Sequence, residues 1–172
     1  MKLDSNDFEL FGVAERFEQD GSELDRRWRE LQGEVHPDRF ATHGAAAQRV
    51  AMQWAVRVNE AYRRLKNPVD RAAYLCALYG ASVDAENNTA MPPAFLMQQM
   101  EWRETLEDAT DVASVDVLAD EVSAERARQL ASLAQQIDAD RDYAAAARTV
   151  RALMFIERFS DDIDRRMEAL GQ

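Results

Sequence analysis

The sequence predicts an all-α protein in two parts: an N-terminal antiparallel helical hairpin and a C-terminal three-helix bundle. Apolar residues recur at intervals of three and four, and nowhere do apolar and polar residues alternate as in a strand. Only six Gly and four Pro stand in 172 residues, so little interrupts helices. Apolar residues make up 47% of the chain, enough for a core and too many for a disordered polymer. No internal repeat or low-complexity stretch is present.

The first long helix is predicted over 22–35, where Leu24, Trp28, Leu31 and Val35 share a stripe, with Asp20 to Ser22 as turn and capping residues and Pro37 as the stop. A second follows His43-Gly44, its stripe formed by Val50, Trp54, Val58, Ala61 and Leu65. The segment Phe8 to Phe11 is apolar enough to cap the core of this hairpin. Asn67-Pro68 reads as the N-cap and first residue of a helix through Ala72, Leu75 and Leu78, which ends at Gly80. The small, polar run 80–91, just before the prolines Pro92-Pro93, reads as a linker, which places one domain at 1–79 and another at 92–172. Three further helices are expected at about 93–109, 115–137 and 141–170, with Ser114 and Asp140 as caps.

Charge and composition narrow the function. The net charge is −11; residues 1–75 hold 12 Lys and Arg against 13 Asp and Glu, whereas residues 84–172 hold 9 against 19. So acidic a second half argues against nucleic-acid binding, which needs an excess of Lys and Arg. It serves solubility or meets a basic partner. No apolar run reaches the roughly 20 residues of a membrane span, and the first residues lack a signal-peptide core, so a cytoplasmic protein without membrane contact is expected. Cys76 is the single cysteine, which excludes an internal disulfide and a cluster or multi-thiolate zinc site held by this chain alone.

His36-Pro37-Asp38 lies in the loop between two amphipathic helices and is followed by Arg39-Phe40. Proline fixes φ and removes a donor, so the loop keeps one shape; Asp38 offers a carboxylate suited to an arginine fork, and His36 a ring that packs and hydrogen-bonds. Taken alone, the tripeptide also fits a simple turn with a solvated histidine. A His beside an Asp invites a catalytic reading too, but no suitably placed nucleophile or glycine-rich phosphate loop accompanies the pair. His36, His43 and Cys76 lack metal-ligand spacing, so no catalytic residue, metal or cofactor is expected.

The same loop resembles that of J-domains. The wider text V-N-E-A-Y-R-R-L-K-N-P (58–68), R-A-A-Y-L (71–75), F-E-L-F-G (8–12) and A-F-L-M (94–97) resembles the HscB (Hsc-twenty) branch, in order and spacing over nearly the whole chain. The resemblance implies a non-enzymatic co-chaperone whose loop docks on the ATPase domain of the DnaK-type chaperone HscA and favours hydrolysis. The chaperone-binding set is then His36, Pro37, Asp38 and Arg39, with Arg26, Arg27 and Arg29 of the preceding helix. That helix departs from the pattern. Glu30, Gly33 and Glu34 thin its basic face, and Val35 stands where J-domains carry an aromatic.

On the helix at 93–109, Phe95, Trp102, Leu106 and Ala109 share one side. Leu96, Met97, Met100, Glu101, Glu104 and Asp108 fall on the other. Periodicity leaves two readings of that second stripe: more bundle core, or a partner surface. The resemblance implies the second, a surface for the iron–sulfur scaffold IscU completed by Phe155 of the last helix, for which the wheel predicts partial exposure. Met100 and Asp108 stand where the family more often has Leu and Glu. The whole is then a monomeric adaptor that delivers IscU to HscA and aids iron–sulfur protein maturation. A general J-domain co-chaperone for DnaK-assisted folding is the alternative; the Gly/Phe-rich linker and C-x-x-C repeats common in such proteins are absent. A helical scaffold in which His-Pro-Asp is incidental is the rival of another class.

Overall fold

The computed structural model describes residues 2–84 and 91–171, and no strand occurs among them. None of the helices described is long and apolar enough to cross a membrane. The chain divides into two compact units, Met1–Leu75 and Cys76–Gln172. Most of the run expected to be a linker, residues 85–90, lies outside the described residues.

In the first unit, α1 (Asp7–Phe11), α2 (Gly21–Val35), a single 3₁₀ turn (Pro37–Phe40) and α3 (Ala45–Lys66) lead into α4 (Pro68–Leu78). Asp20 caps α2 by accepting from the Ser22 N–H at 2.9 Å, and Asn67 caps α4 by accepting from Val69 and Asp70. The core is the expected one: Leu24, Leu31 and Val35 of α2 with Val58, Ala61 and Leu65 of α3, closed by Phe8 and Phe11. Trp28 is half-buried, stacked on Tyr62 with its Nε1 donating to Asn59 at 3.0 Å. Val50, expected in the stripe of α3, is 50% exposed; α3 extends past the covering length of α2, and small Ala51 takes the inward position.

A buried charge holds α1 in place. Asp7, fully buried, accepts from Arg57 at 2.7 Å and from Arg64 at 2.6 Å, while its backbone N–H donates to the Tyr74 hydroxyl at 3.0 Å. A carboxylate can lie at zero exposure only with such partners.

Helix α4 ends as Gly80 predicts. Gly80 has φ +77°, the Ala81 N–H reaches the Cys76 carbonyl at 2.8 Å, and the Gly80 N–H reaches that of Ala77 at 3.2 Å. The compact division falls between Leu75 and Cys76, within α4 and four residues ahead of the boundary read from the linker composition. Cys76, Tyr79 and Val83 belong to the second unit: the Cys76 thiol lies 3.6 Å from the Tyr143 carbonyl, Tyr79 stacks on Tyr143 at 4.3 Å, and the Val83 carbonyl accepts from Arg151 at 3.1 Å.

The second unit is a three-helix bundle of α5 (Pro93–Asp108), α6 (Val112–Ala134) and α7 (Tyr143–Gly171). Its caps differ from those expected. Asp111, rather than Ser114, caps α6, accepting from the Ser114 N–H at 2.7 Å, because Ser114 already sits within the first turn. Asp142, rather than Asp140, caps α7 by accepting from Ala145. Beyond α6, residues Gln135–Ala139 form a π turn, in which the Asp140 N–H reaches back to Gln135, and Ile137 enters the core.

Candidate functional site

Two groups of side chains stand out, one in each unit. In the first, the stop imposed by Pro37 converts the end of α2 directly into the 3₁₀ turn. His36 is its N-cap: Nδ1 accepts the Asp38 N–H at 3.2 Å, which orients the ring while leaving the side chain half exposed. The Asp38 carboxylate is 92% exposed and points to solvent. Arg39 donates to the Gly33 carbonyl at 2.7 Å, satisfying an end carbonyl of α2 and bracing the turn against the helix. The motif is therefore a loop braced by two hydrogen bonds, with the Asp38 carboxylate presented to solvent.

The arginines of α2 are less free than their sequence positions imply. Arg26 is exposed but paired with both Glu23 and Glu30, and the Glu23 carboxyl is lowered from its ordinary pKa chiefly by its hydrogen bond to Arg26. Arg27 donates Nε to the Phe11 carbonyl at 2.7 Å and Nη1 to Glu30 at 2.5 Å, so it serves the fold. Arg29 is exposed and forms no ion pair among the described residues.

In the second unit, α5 is positioned from both ends. Pro93 opens it at the first helical position, and Arg166 of α7 donates to the Ala109 carbonyl at its C-cap at 2.8 Å. Trp102 is buried, stacked on Phe159 at 5.9 Å, and Ala109 is buried beside it. Phe95 and Leu106 are half-buried. The opposite face is open: Leu96 is 44% exposed, Met97 63% and Met100 70%. Glu101, Glu104 and Asp108 are exposed along the same helix. Of the two readings of this stripe, bundle core is therefore the one the packing excludes.

Phe155 departs from its expectation. It is 6% exposed, stacked on Phe159 at 5.8 Å, met edge-on by Phe95 at 5.8 Å and covered by the Arg103 guanidinium at 5.4 Å. The wheel failed because α7 packs on both α5 and α6. A helix wedged between two neighbours buries a wider arc than the single stripe of Val150, Leu153, Ile156 and Ile163. Sequence reasoning also missed Arg151, which is buried at the same depth on α7 and holds the Val83 carbonyl. Its position next to an apolar stripe gave no signal, since a polar residue there ordinarily marks the solvent edge.

Residues 91–164 match the family described as the HSCB C-terminal oligomerisation domain. The chain is 51% identical to the co-chaperone protein HscB homolog of Burkholderia thailandensis, over 99% of this chain and 98% of that one. It is also 51% identical to the homolog of Bordetella avium, over 91% and 94%. Among solved structures it is similar to chaperone HscB from Vibrio cholerae, at 38% identity and TM-score 0.81, covering 96% of this chain and 99% of that one. Human co-chaperone protein HscB shares the fold at 23% identity and TM-score 0.90, over 96% of this chain and 84% of that one. With the His-Pro-Asp loop presented between two antiparallel helices and a three-helix bundle behind it in the chain, these likenesses show that the chain belongs to the HscB family of J-domain co-chaperones.

Proposed function

We propose that the chain is an adaptor that presents the iron–sulfur scaffold IscU to the DnaK-type chaperone HscA and stimulates the chaperone's ATPase in the cytoplasm. His36, Pro37, Asp38 and Arg39 form the chaperone contact, with Arg29 and the partly neutralised Arg26 as its charged flank. Leu96, Met97 and Met100 anchor the scaffold, and Glu101, Glu104 and Asp108 form the rim that orients it. The observation that carries this reading is the second face of α5: three large apolar side chains stand exposed on a helix already held by the bundle through its other face. Apolar anchors ringed by carboxylates supply affinity at the centre and orientation at the edge. Phe155 acts from beneath, supporting Phe95 and Arg103. The chain supplies no reacting group: hydrolysis takes place on the chaperone, and the bivalent arrangement raises the local concentration of the client there.

The test is ATPase stimulation of purified HscA with and without IscU. Stimulation that rises further with IscU is expected, and His36→Gln or Asp38→Asn should abolish it while the melting temperature stays at the wild-type value. A chain that retains denatured protein and not IscU would favour general folding assistance. The family description assigns oligomerisation to the matched segment. A second copy is therefore the competing occupant of the α5 face, and sedimentation showing a dimer that IscU does not dissociate would replace the monomer proposed here.

A further inference from the structure

Within the second unit, a small cavity of about 190 Å³ opens where α5 begins, α6 ends and α7 makes its first turns. Two features make the room. The π turn at Gln135–Ala139 widens the backbone beyond α6, with the Asp140 N–H bonded to the Gln135 carbonyl. On α7 the wall is Ala145 and Ala152, whose methyl groups are too short to fill the space. Pro92 and Phe95 close the side that α5 forms.

Four polar side chains line the same cavity, and their hydrogen bonds leave particular groups open. Thr149 is 8% exposed, and its hydroxyl donates to Gln136 Oε1 at 2.9 Å. The Gln136 carbonyl accepts from the Asp142 N–H at 2.8 Å, so the residue is held through both backbone and side chain. With Oε1 engaged, the Gln136 NH2 group has no partner among the described residues. Gln129 is engaged in the opposite sense: its Nε2 donates to Glu125 at 2.8 Å, which leaves its Oε1 to accept. Arg148 is exposed and forms no ion pair among the described residues. The cavity thus offers a guanidinium and an NH2 donor, one carbonyl acceptor, and a ring and methyl groups. A guanidinium and an NH2 match a carboxylate. The acceptor matches a hydroxyl or an ammonium. The volume lies well below the roughly 300 Å³ at which drug-sized sites begin, so the ligand is about the size of a free amino acid.

We infer that this cavity binds a small organic carboxylate that carries a hydroxyl or amino group beside a short hydrocarbon chain. Arg148 and the Gln136 NH2 take the carboxylate, and Gln129 Oε1 accepts from the hydroxyl or ammonium. The hydrocarbon lies against Phe95, Ala145 and Ala152. A bound molecule ties the start of α5 to α7, since Pro92 and Phe95 belong to one helix and Arg148 and Thr149 to the other. The cavity shares no residue with either contact proposed above.

The experiment titrates the full-length chain by calorimetry, at constant ionic strength, with L-valine, α-hydroxyisovalerate, isovalerate and L-valinamide. Valine and α-hydroxyisovalerate carry both groups; isovalerate lacks the donor, and valinamide lacks the carboxylate. At least one of the first two should bind saturably with a Kd of about 1 mM or tighter, and isovalerate and valinamide should bind about tenfold or more weakly than it does. Arg148→Gln should weaken that binding about tenfold or more, and Ala145→Leu, which fills the cavity, should abolish it. Arg165→Gln, at an exposed position of α7 outside the cavity, should leave it unchanged. Both cavity sites are partly open, so the fold tolerates the changes, as circular-dichroism melts verify. Saturation should slow hydrogen exchange over residues 92–97 and 145–152 and leave the first unit unchanged.

The inference falls if neither valine nor α-hydroxyisovalerate binds saturably up to about 20 mM. It falls equally if isovalerate and valinamide bind as well as they do, since the groups assigned here then select nothing. Binding that survives both Arg148→Gln and Ala145→Leu would put the ligand elsewhere and overturn it as well. None of these outcomes touches the co-chaperone reading.

Discussion

Cys76 shows how little a residue's type says about its role. It is fully buried, and burial pushes its thiol up to about 11 from an ordinary value of 9.0, against a smaller opposing pull from Arg151. A buried thiol with so high a pKa is a packing residue, since thiolate is the reactive form. Because the folded-state value lies above the unfolded one, the associated stability is present in full below pH 9. It is lost as pH rises from 9 to about 11, by about 1–2 kcal/mol. Urea unfolding midpoints across that range should therefore fall more steeply for wild type than for Cys76→Ala, and iodoacetamide should leave the folded chain unmodified at neutral pH. Similar care applies to the family text. In R-A-A-Y-L, Arg71 donates to the Phe17 and Leu65 carbonyls at 2.6 and 2.5 Å, and Tyr74 accepts from the backbone of Asp7. These residues bind the fold together, whereas His36 and Asp38 are displayed.

Helix α5 has one face packed in the bundle and one exposed, and on the proposed reading substitutions should separate their effects. Replacing Leu96, Met97 and Met100 together by Ala should leave the melting temperature near wild type, because none of the three is buried. IscU binding in calorimetric titration should weaken by at least about 2 kcal/mol. Phe155→Ala should do the reverse in order of severity: a stability loss of about 3–5 kcal/mol in urea, from the cavity among Phe95, Phe159 and Arg103, with binding lost only as α5 loosens. Glu101→Gln with Glu104→Gln should slow association at low salt and have little effect at high salt. A triple variant that melts far below wild type would return the stripe to the core.

For the chain entire, the informative cut is the one that removes the bundle. A fragment of residues 1–91 keeps the first compact unit whole, and it should melt cooperatively and still stimulate HscA to the basal level. The further rise produced by IscU should disappear, because the client arm is gone. Cys76 should at the same time become open to alkylation, since its neighbour Tyr143 has been removed. Failure of the fragment to melt as one transition would mean that the first compact unit does not fold without residues 92–172.

What the chain's text determined alone is much of what local rules govern, although the caps of α6 and α7 fall on Asp111 and Asp142 rather than on Ser114 and Asp140. Helix starts at Asp20 and Asn67 and the stop at Pro37 follow from capping and from the missing proline N–H. The turn at Gly80 follows from its left-handed φ. The place of the His-Pro-Asp loop, exposed between two helices, was legible because their periodicity was plain; the role proposed for it came from the resemblance. The tertiary structure decided what depends on how many neighbours an element has. Periodicity could not say whether Leu96 and Met100 face a core; that required knowing that α5 is held from one side only, by Trp102 and Ala109. Nor could it show that α7 is held from two sides, which buries Phe155 and Arg151. The ion cluster at Asp7 joins residues 50 and 57 positions apart. Hydrogen bonds within a turn are fixed by adjacent residues, but burial is a property of the space between elements, and no single helix carries it.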